Sequence, residues 1–425
     1  MADAASSALL PPAPDAAFEK RILVTGGAGF IGSHVVTHLV KCYPHYYVVN
    51  LDSLDYCACV HNVHTAISTS SSAAPASSAA RDDKEPLAVA DADGEDGDDI
   101  EEDDDMGSRL RGSFCEWDQD TDLRAHLPRN YKFIKGNIMG ADLVEYILQT
   151  EQIDTIVHFA AQSHVDNSFG NSIEFSKTNI LGTHVLLEAA KIHGKITRFI
   201  HVSTDEVYGE GTAETVAMAE DHVLEPTNPY AATKAGAEFL VKAYQRSFKL
   251  PTLITRSNNV YGPHQYPEKL IPKFINQIVR DRAVTIHGDG THTRTYLYIS
   301  DVVAAFDLIL HKGQIGEVYN IGGANEVSNK QVAMDLLAIM KPQYHDGNDG
   351  AMISYVMDRA FNDFRYTIDA SKLRALGWEE KVSWQDGLAR TVRWYKRFGH
   401  RFANIEHALE PHPIAFKKTY TVTLP

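Results

Sequence analysis

Cysteine is scarce in this chain, with four residues in 425, at Cys42, Cys57, Cys59 and Cys115. Thiols so few and so unevenly placed exclude a disulfide-stapled fold, and a reducing, cytoplasmic setting is expected. Cys57 and Cys59 share a C-x-C spacing, but no second ligand pair accompanies them, so they read as ordinary thiols and no metal site is expected. Long apolar runs are also missing. The opening MADAASSALLPPAPDAAFEK carries acids and three prolines without an apolar core, so residues 1–19 read as a flexible tail, neither a signal peptide nor a span. An excess of positive charge is absent too, with 40 Lys and Arg against 56 Asp and Glu and a formal net charge of -16. The stretch from Arg81 to Asp105 holds fourteen acidic residues against two basic ones, so it accounts for twelve of those sixteen charges. The remaining body is only mildly acidic. It has neither the basic footprint of a nucleic-acid partner nor a polybasic membrane surface, which leaves a small molecule as the expected ligand.

What is present is material for a large core, at 44% hydrophobic and 23% charged residues, enough for two lobes. From Lys20, RILVTGGAGFIGSHVVTHLV reads as strand, glycine-rich loop and helix. Further strand-like runs stand at YYVVNLD, YKFIKGN, TIVHFAA, RFIHVS and PTLITRS, with helical stretches such as GTHVLLEAAKIHG and AATKAGAEFLVKAYQRSF among them. Strands alternating with helices imply an α/β fold with a parallel sheet covered on both faces. The first lobe is expected over 20–255. A segment from roughly Thr65 to Arg111, Ser/Ala-rich and then strongly acidic, is expected to interrupt it as a disordered surface insertion, because it cannot bury enough apolar surface to offset its ordering entropy. It reads as a solvated insertion, and any partner it has is unknown. From residue 256 to 425 the chain is expected to build mainly a smaller substrate-binding lobe, returning to the first lobe around Thr295 to Leu310 and Val318 to Gly322.

Two constellations carry chemistry. Gly26, Gly29 and Gly32 stand where a strand turns into a helix, so backbone amides there can approach a pyrophosphate. Asp52 closes the next strand about twenty residues on, where a carboxylate accepts the hydroxyls of an adenosine ribose and repels a 2'-phosphate; NAD is therefore expected over NADP. Tyr230 and Lys234 lie four residues apart in Y-A-A-T-K, on one face of a helix. The ammonium is expected to lower the phenol below its ordinary value of about 10 and to hold the nicotinamide ribose. Placed after a strand ending in Ser203 and Thr204, the pair resembles the proton-transfer set of a short-chain dehydrogenase.

TGGAGFIG, HFAAQSHVD, STDEVYGE, PYAATK and NNVYGPHQYPEKLIPKFI together resemble the extended short-chain dehydrogenases, and among these the dTDP-glucose and UDP-glucose 4,6-dehydratases. The likeness runs from Arg21 to about Pro413, apart from the acidic insertion. It implies a Rossmann-type doubly wound parallel sheet with a smaller C-terminal lobe, a tightly held, recycled NAD, a nucleotide-sugar substrate and a homodimer. It also implies roles. Thr204 and Tyr230 would act at the sugar's 4-hydroxyl, and Asp205 and Glu206 would supply the acid and base that remove water from carbons 5 and 6. Mutual repulsion and burial are expected to push one of these two carboxyl pKa values up; which one is left open. Phe30, Ile31, Asn137, Ile138, Ala160, Ala161, Gln162 and Thr178 match positions lining NAD. Ser163, Asn259, Lys269, Leu270, His287 and Arg294 match contacts to the nucleotide sugar, and Asn329, Asp358, Arg359 and Asp363 complete its pocket, with Arg294 and Arg359 as diphosphate clamps.

Three departures stand out: Asn137 where the family usually carries Asp, Ala360 in place of Pro, and the insertion after Asp52. A nucleotide-sugar 4-epimerase needs no acid/base pair beside Thr204, and a non-catalytic NAD-sensing scaffold would have no use for the full set. The two nucleotide bases differ by a methyl worth about 1 kcal/mol, so dTDP-glucose and UDP-glucose both remain open.

Overall fold

The computed structural model describes residues 18–68, 126–212, 215–344, 352–357, 365–402 and 405–410. β-Branched runs form the frame: β1 (Lys20–Thr25), β2 (Tyr46–Asp52), β3 (Tyr131–Lys135), β4 (Thr155–His158), β5 (Arg198–Thr204), β6 (Thr252–Ser257) and, from late in the chain, Val318–Ile321. These seven strands make one sheet in the order Val318–Ile321, β6, β5, β4, β1, β2, β3, and every pairing is parallel. The order reverses between β1 and β4. In doubly wound sheets the crevice beyond the carboxyl ends at that point is where ligands bind.

Side chains alternate along each strand, so both faces are apolar and both need cover. Leu23, Val49, Ile156, Phe199 and Ile254 pack on one side in a cluster that includes Val144, Leu186 and Val241 from three helices, α3 (Ala141–Thr150), α4 (Gly182–His193) and α5 (Pro229–Phe248). Ile22, Val24, Val48, Val157, Ile200 and Leu253 pack on the other with α1 (Phe30–Cys42) and the later helix Ile299–Lys312. Asn228 starts α5 with a side-chain oxygen that accepts from the Ala231 amide at 2.8 Å, Pro229 occupies the first turn, and Lys249 ends the helix in the left-handed region at φ 58°.

The remaining elements are smaller. β7 (Asn259–Tyr261) pairs in parallel with Thr293–Tyr298, which pairs antiparallel with Asn325–Ser328, giving a three-stranded sheet. Val284–His287 and Ile353–Val356 form a two-stranded one. Helix Leu270–Val279 lies between β7 and these strands in sequence. A short helix, α2 (His61–Ile67), includes Thr65, so the expected disordered insertion does not begin there: Val63 and Ile67 are buried against α1 and keep the turn ordered. The rest of that insertion, from residue 69 onward, lies outside the described residues, as does the tail before residue 18.

Candidate active site

A cavity of about 600 Å³ opens at the carboxyl ends of the main sheet, between it and the smaller elements. One wall is the turn from β1 into α1. Gly26 takes φ 74°, and a Cβ there would stand 2.6 Å from the Ala160 amide nitrogen. At Gly32 a Cβ would stand 2.3 Å from the Gly26 carbonyl oxygen, so only glycine lets helix and turn close together. At Gly29 a Cβ meets only the Gly26 oxygen, at 3.3 Å; that glycine borders open cavity. No side chain caps α1 and no acid stands in its first turn, so its leading amides present a positive end to the cavity. Asp52 holds this wall in shape: one carboxylate oxygen accepts from the Ala28 amide at 2.9 Å and the other from the Leu54 amide at 2.8 Å. Burial raises its pKa. This donor set suits a dinucleotide: helix-start amides suited to a pyrophosphate, beside a carboxylate that lines the cavity. Phe30, Ile31, Asn137, Ile138, Ala160, Ala161, Gln162 and Thr178 line the same space. Asn137 turns its Oδ1 to the Met139 amide at 2.9 Å, which closes the following turn.

The opposite chemistry gathers where β5 ends. Thr204 is the last residue of the strand, and Asp205 to Tyr208 form one 3-10 turn. The Thr204 hydroxyl accepts from the Glu206 amide at 3.4 Å and donates to Asp205 Oδ1 at 3.2 Å. Glu206 faces the cavity, and its Oε2 accepts from Asn228 Nδ2 at 3.0 Å. The residue that caps α5 thus also ties Glu206 to the helix carrying Tyr230. Asp205 does not line the cavity. Only 2% exposed, it turns inward, where Asn258 Nδ2 donates to its Oδ2 at 2.6 Å. Burial first, then the neighbouring Glu206 charge, push the Asp205 carboxyl up to about 7, against the hydrogen bonds from Asn258 and Thr204 and the Arg294 charge. Between the paired acids, Asp205 is therefore the one whose raised pKa the structure identifies.

Tyr230 and Lys234 line the cavity from α5. The expectation that the ammonium lowers the phenol is not met. Burial, followed by the charges of Glu206 and Asp205, raises the Tyr230 pKa, and only its hydrogen bond with Thr204 opposes the rise. The Lys234 ammonium instead donates to the Val202 carbonyl at 2.6 Å, and burial pulls its own pKa down to about 8.

Ser163, Asn259, Lys269, Leu270, His287, Arg294 and Asn329 all border the cavity. Lys269 reaches across it to the Ser163 carbonyl at 2.8 Å, and Arg294 donates to the Thr293 carbonyl at 2.7 Å while its guanidinium lies 4.9 Å from the Tyr366 ring centre. Asp358, Arg359 and Asp363 lie outside the described residues. Sequence reading missed Asn228, Asn258 and a cross-cavity contact in which the Tyr56 hydroxyl donates to Glu268 at 2.9 Å. The Asn-Pro pair at 228–229 carried a cap signal; Asn258, beside Asn259, gave none.

The family model for GDP-mannose 4,6 dehydratase matches residues 111–391. An Arabidopsis thaliana protein named trifunctional UDP-glucose 4,6-dehydratase/UDP-4-keto-6-deoxy-D-glucose 3,5-epimerase/UDP-4-keto-L-rhamnose-reductase is 46% identical over 397 residues, 93% of this chain and 50% of its own length. This chain therefore spans about half of that relative. Human dTDP-D-glucose 4,6-dehydratase is 41% identical over 397 residues, covering 93% of this chain and 96% of its own. Among solved structures, the Streptomyces venezuelae dTDP-glucose 4,6-dehydratase with NAD bound aligns at a TM-score of 0.71 and 35% identity, over 91% of this chain and 100% of that one. The glycine turn, the Thr204 to Glu206 corner and the Tyr230/Lys234 helix are thus set in a fold shared with dehydratases, and the chain belongs to the GDP-mannose 4,6 dehydratase family.

Proposed function

We propose that this chain is an NAD-dependent nucleotide-sugar 4,6-dehydratase, a lyase acting on dTDP-glucose or UDP-glucose. The observation that carries the reading is the β5 corner: Asp205 with a raised pKa and Glu206 facing the cavity that Tyr230 and Lys234 also line. NAD, when bound along the glycine turn, supplies an acceptor for the hydrogen on carbon 4 and returns it to carbon 6. The protein's own residues do the proton work. Tyr230 takes the proton of the 4-hydroxyl. The resulting ketone acidifies the proton on carbon 5, which Glu206 removes, while Asp205 protonates the departing 6-oxygen. Ser163, Asn259, Lys269, His287 and Arg294 then hold the nucleotide sugar, and Asp52 the adenosine ribose. On this reading residues 20–255 form the cofactor lobe, 256–425 mainly the substrate lobe, and the assembly is a homodimer.

The test is mass spectrometry of product from the purified chain with each sugar nucleotide. Loss of one water supports the dehydratase; unchanged mass with altered stereochemistry indicates an epimerase. The double variant Asp205→Asn, Glu206→Gln should form no 4-keto-6-deoxy product, and an undiminished rate would overturn the roles given to the pair. Side-by-side kinetics with the two substrates decides the base.

A further inference from the structure

We infer that Tyr56 and Glu268 form a clasp that joins the two walls of the cavity and retains the dinucleotide through the cycle. This rests on the cofactor reading above and goes beyond it, since neither residue is given to a ligand there.

The segment after β2 is tied to the glycine wall at both ends. Asp52 accepts from the Leu54 amide at 2.8 Å, and the Ala28 carbonyl accepts from the Cys59 amide at 2.9 Å and from Asn62 Nδ2 at 3.2 Å. Between these anchors, Asp55 and Tyr56 reach other parts of the chain. Asp55 accepts from Gln162 Nε2 at 2.7 Å, on the segment that follows β4. The Tyr56 hydroxyl donates to Glu268, whose two oxygens lie 3.0 and 2.9 Å away, just before helix Leu270–Val279. Asn167 Nδ2 donates to the same phenol oxygen at 3.3 Å, so the phenol accepts there and directs its own proton at the carboxylate. The Tyr56 ring also meets the Tyr266 ring edge-on, with centres 5.3 Å apart. Three segments distant in sequence thus close around one phenol, and Asp55, Tyr56, Gln162, Tyr266 and Glu268 all line the cavity.

The two ligands of the proposed reaction belong to different walls. The glycine turn and Asp52 take the dinucleotide, while Asn259, Lys269 and Arg294 take the sugar nucleotide. Lys269 also crosses the cavity, to the Ser163 carbonyl at 2.8 Å, but its ammonium is given to the substrate when the site is filled. Tyr56 and Glu268 have no such second duty. Their bond can therefore persist with both ligands in place. Retention matters because one dinucleotide serves twice in each cycle, at carbon 4 and then at carbon 6. A wall that swings away between those steps strands the sugar half-converted. The bond suits the task, since a hydrogen bond to a charged acceptor is stronger than a neutral one.

Tyr56→Phe removes one hydroxyl and keeps the ring against Tyr266. Glu268→Ala removes the acceptor, and Glu268→Gln keeps an acceptor oxygen without the charge. The probe is a fluorescent etheno-adenine analogue of NAD, loaded onto the full chain and chased with excess NAD. Tyr56→Phe should speed its release about tenfold. Glu268→Ala should do the same, and Glu268→Gln should release the analogue more slowly than Glu268→Ala. The double variant Tyr56→Phe, Glu268→Ala should be no faster than either single change, because one bond is lost in all three. Release at the wild-type rate from Tyr56→Phe overturns the clasp. So does a double variant whose effects multiply, which marks two independent sites. Thermal unfolding without dinucleotide separates a clasp from general loosening: Tyr56→Phe should keep the wild-type midpoint, and a lowered midpoint would assign the faster release to instability. Release needs neither sugar nor turnover. If the chain leaves both sugar nucleotides unchanged while the variants release the analogue as expected, the dehydratase reading has failed and the clasp has not. Dehydration with release rates unmoved by Tyr56→Phe means the reverse, and a wild-type chain that binds no dinucleotide overturns both.

Discussion

Asn258 Nδ2 donates to Asp205 Oδ2 at 2.6 Å, a shorter bond than the one Thr204 makes to Asp205 or Asn228 makes to Glu206. A donor to a carboxylate favours its charged form, so Asn258 restrains a pKa that burial has carried to about 7. Below about pH 7 Asp205 holds the proton that the departing 6-oxygen takes in the proposed reaction. The log of kcat/KM should therefore fall as pH rises through about 7, and more steeply above about 8 as Lys234 loses its charge. In Asn258→Ala the fall near pH 7 should move to higher pH by about one unit. A fall that stays in place, or a wild-type profile that rises with pH through 7, contradicts this assignment.

The same carboxyl should leave a mark on stability. Its folded-state pKa of about 7 lies above its ordinary 3.8, so the folded chain binds the proton more tightly than the unfolded one. The stabilisation this gives is complete below 3.8 and is lost as pH rises through about 7. Asp205→Asn has no such slope. Relative to wild type it should gain on the order of a few kcal/mol between pH 5 and pH 8, measured by urea unfolding at the two values. Parallel pH dependence in variant and wild type would show that Asp205 is not buried as a raised acid.

Behind the corner sits a buried ion pair. Arg256 and Glu238 are both 0% exposed, with the guanidinium donating to the two carboxylate oxygens at 3.0 and 2.6 Å. A third nitrogen of Arg256 donates to the Tyr208 hydroxyl at 2.7 Å, and Tyr208 ends the turn that begins at Asp205. Glu238→Ala leaves that cation buried without its partner, which costs about 3–5 kcal/mol. Thermal unfolding should register the loss, and activity at a temperature where the variant is still folded should fall as well, since Tyr208 loses a fixed neighbour. A variant as stable as wild type would mean the pair is hydrated in solution.

Much of this architecture was legible from residue pattern alone. The apolar runs YYVVNLD and RFIHVS fall in β2 and β5, because β-branched and apolar residues fit a sheet buried on both faces. The glycine spacing located the turn, and Y-A-A-T-K located the helix face. The three-stranded sheet was not legible, since β7 has three residues and Asn325–Ser328 has four, too few to show a period. Nor could pattern reveal that Asp205 turns away from the cavity while Glu206 faces it, or that burial outweighs the ammonium at Tyr230. Those outcomes depend on what surrounds each group, which Asn258, Asn228 and Thr204 decide from distant or unremarkable positions in the chain.

Two glycines of one turn should respond differently to the same added methyl. At Gly32 it would lie 2.3 Å from the Gly26 carbonyl oxygen and 2.9 Å from the Gly27 Cα, so turn and helix must separate. At Gly29 it would meet only the Gly26 oxygen at 3.3 Å and stand instead in the space proposed for the pyrophosphate. Gly32→Ala should lower thermal stability and retained NAD together. Gly29→Ala should keep wild-type stability to within about 1 kcal/mol and still lose NAD, measured as dinucleotide released from the denatured protein. Full NAD retention by Gly29→Ala would place the pyrophosphate elsewhere, and equal instability in both variants would mean that the turn, rather than its ligand, is what glycine serves at both positions.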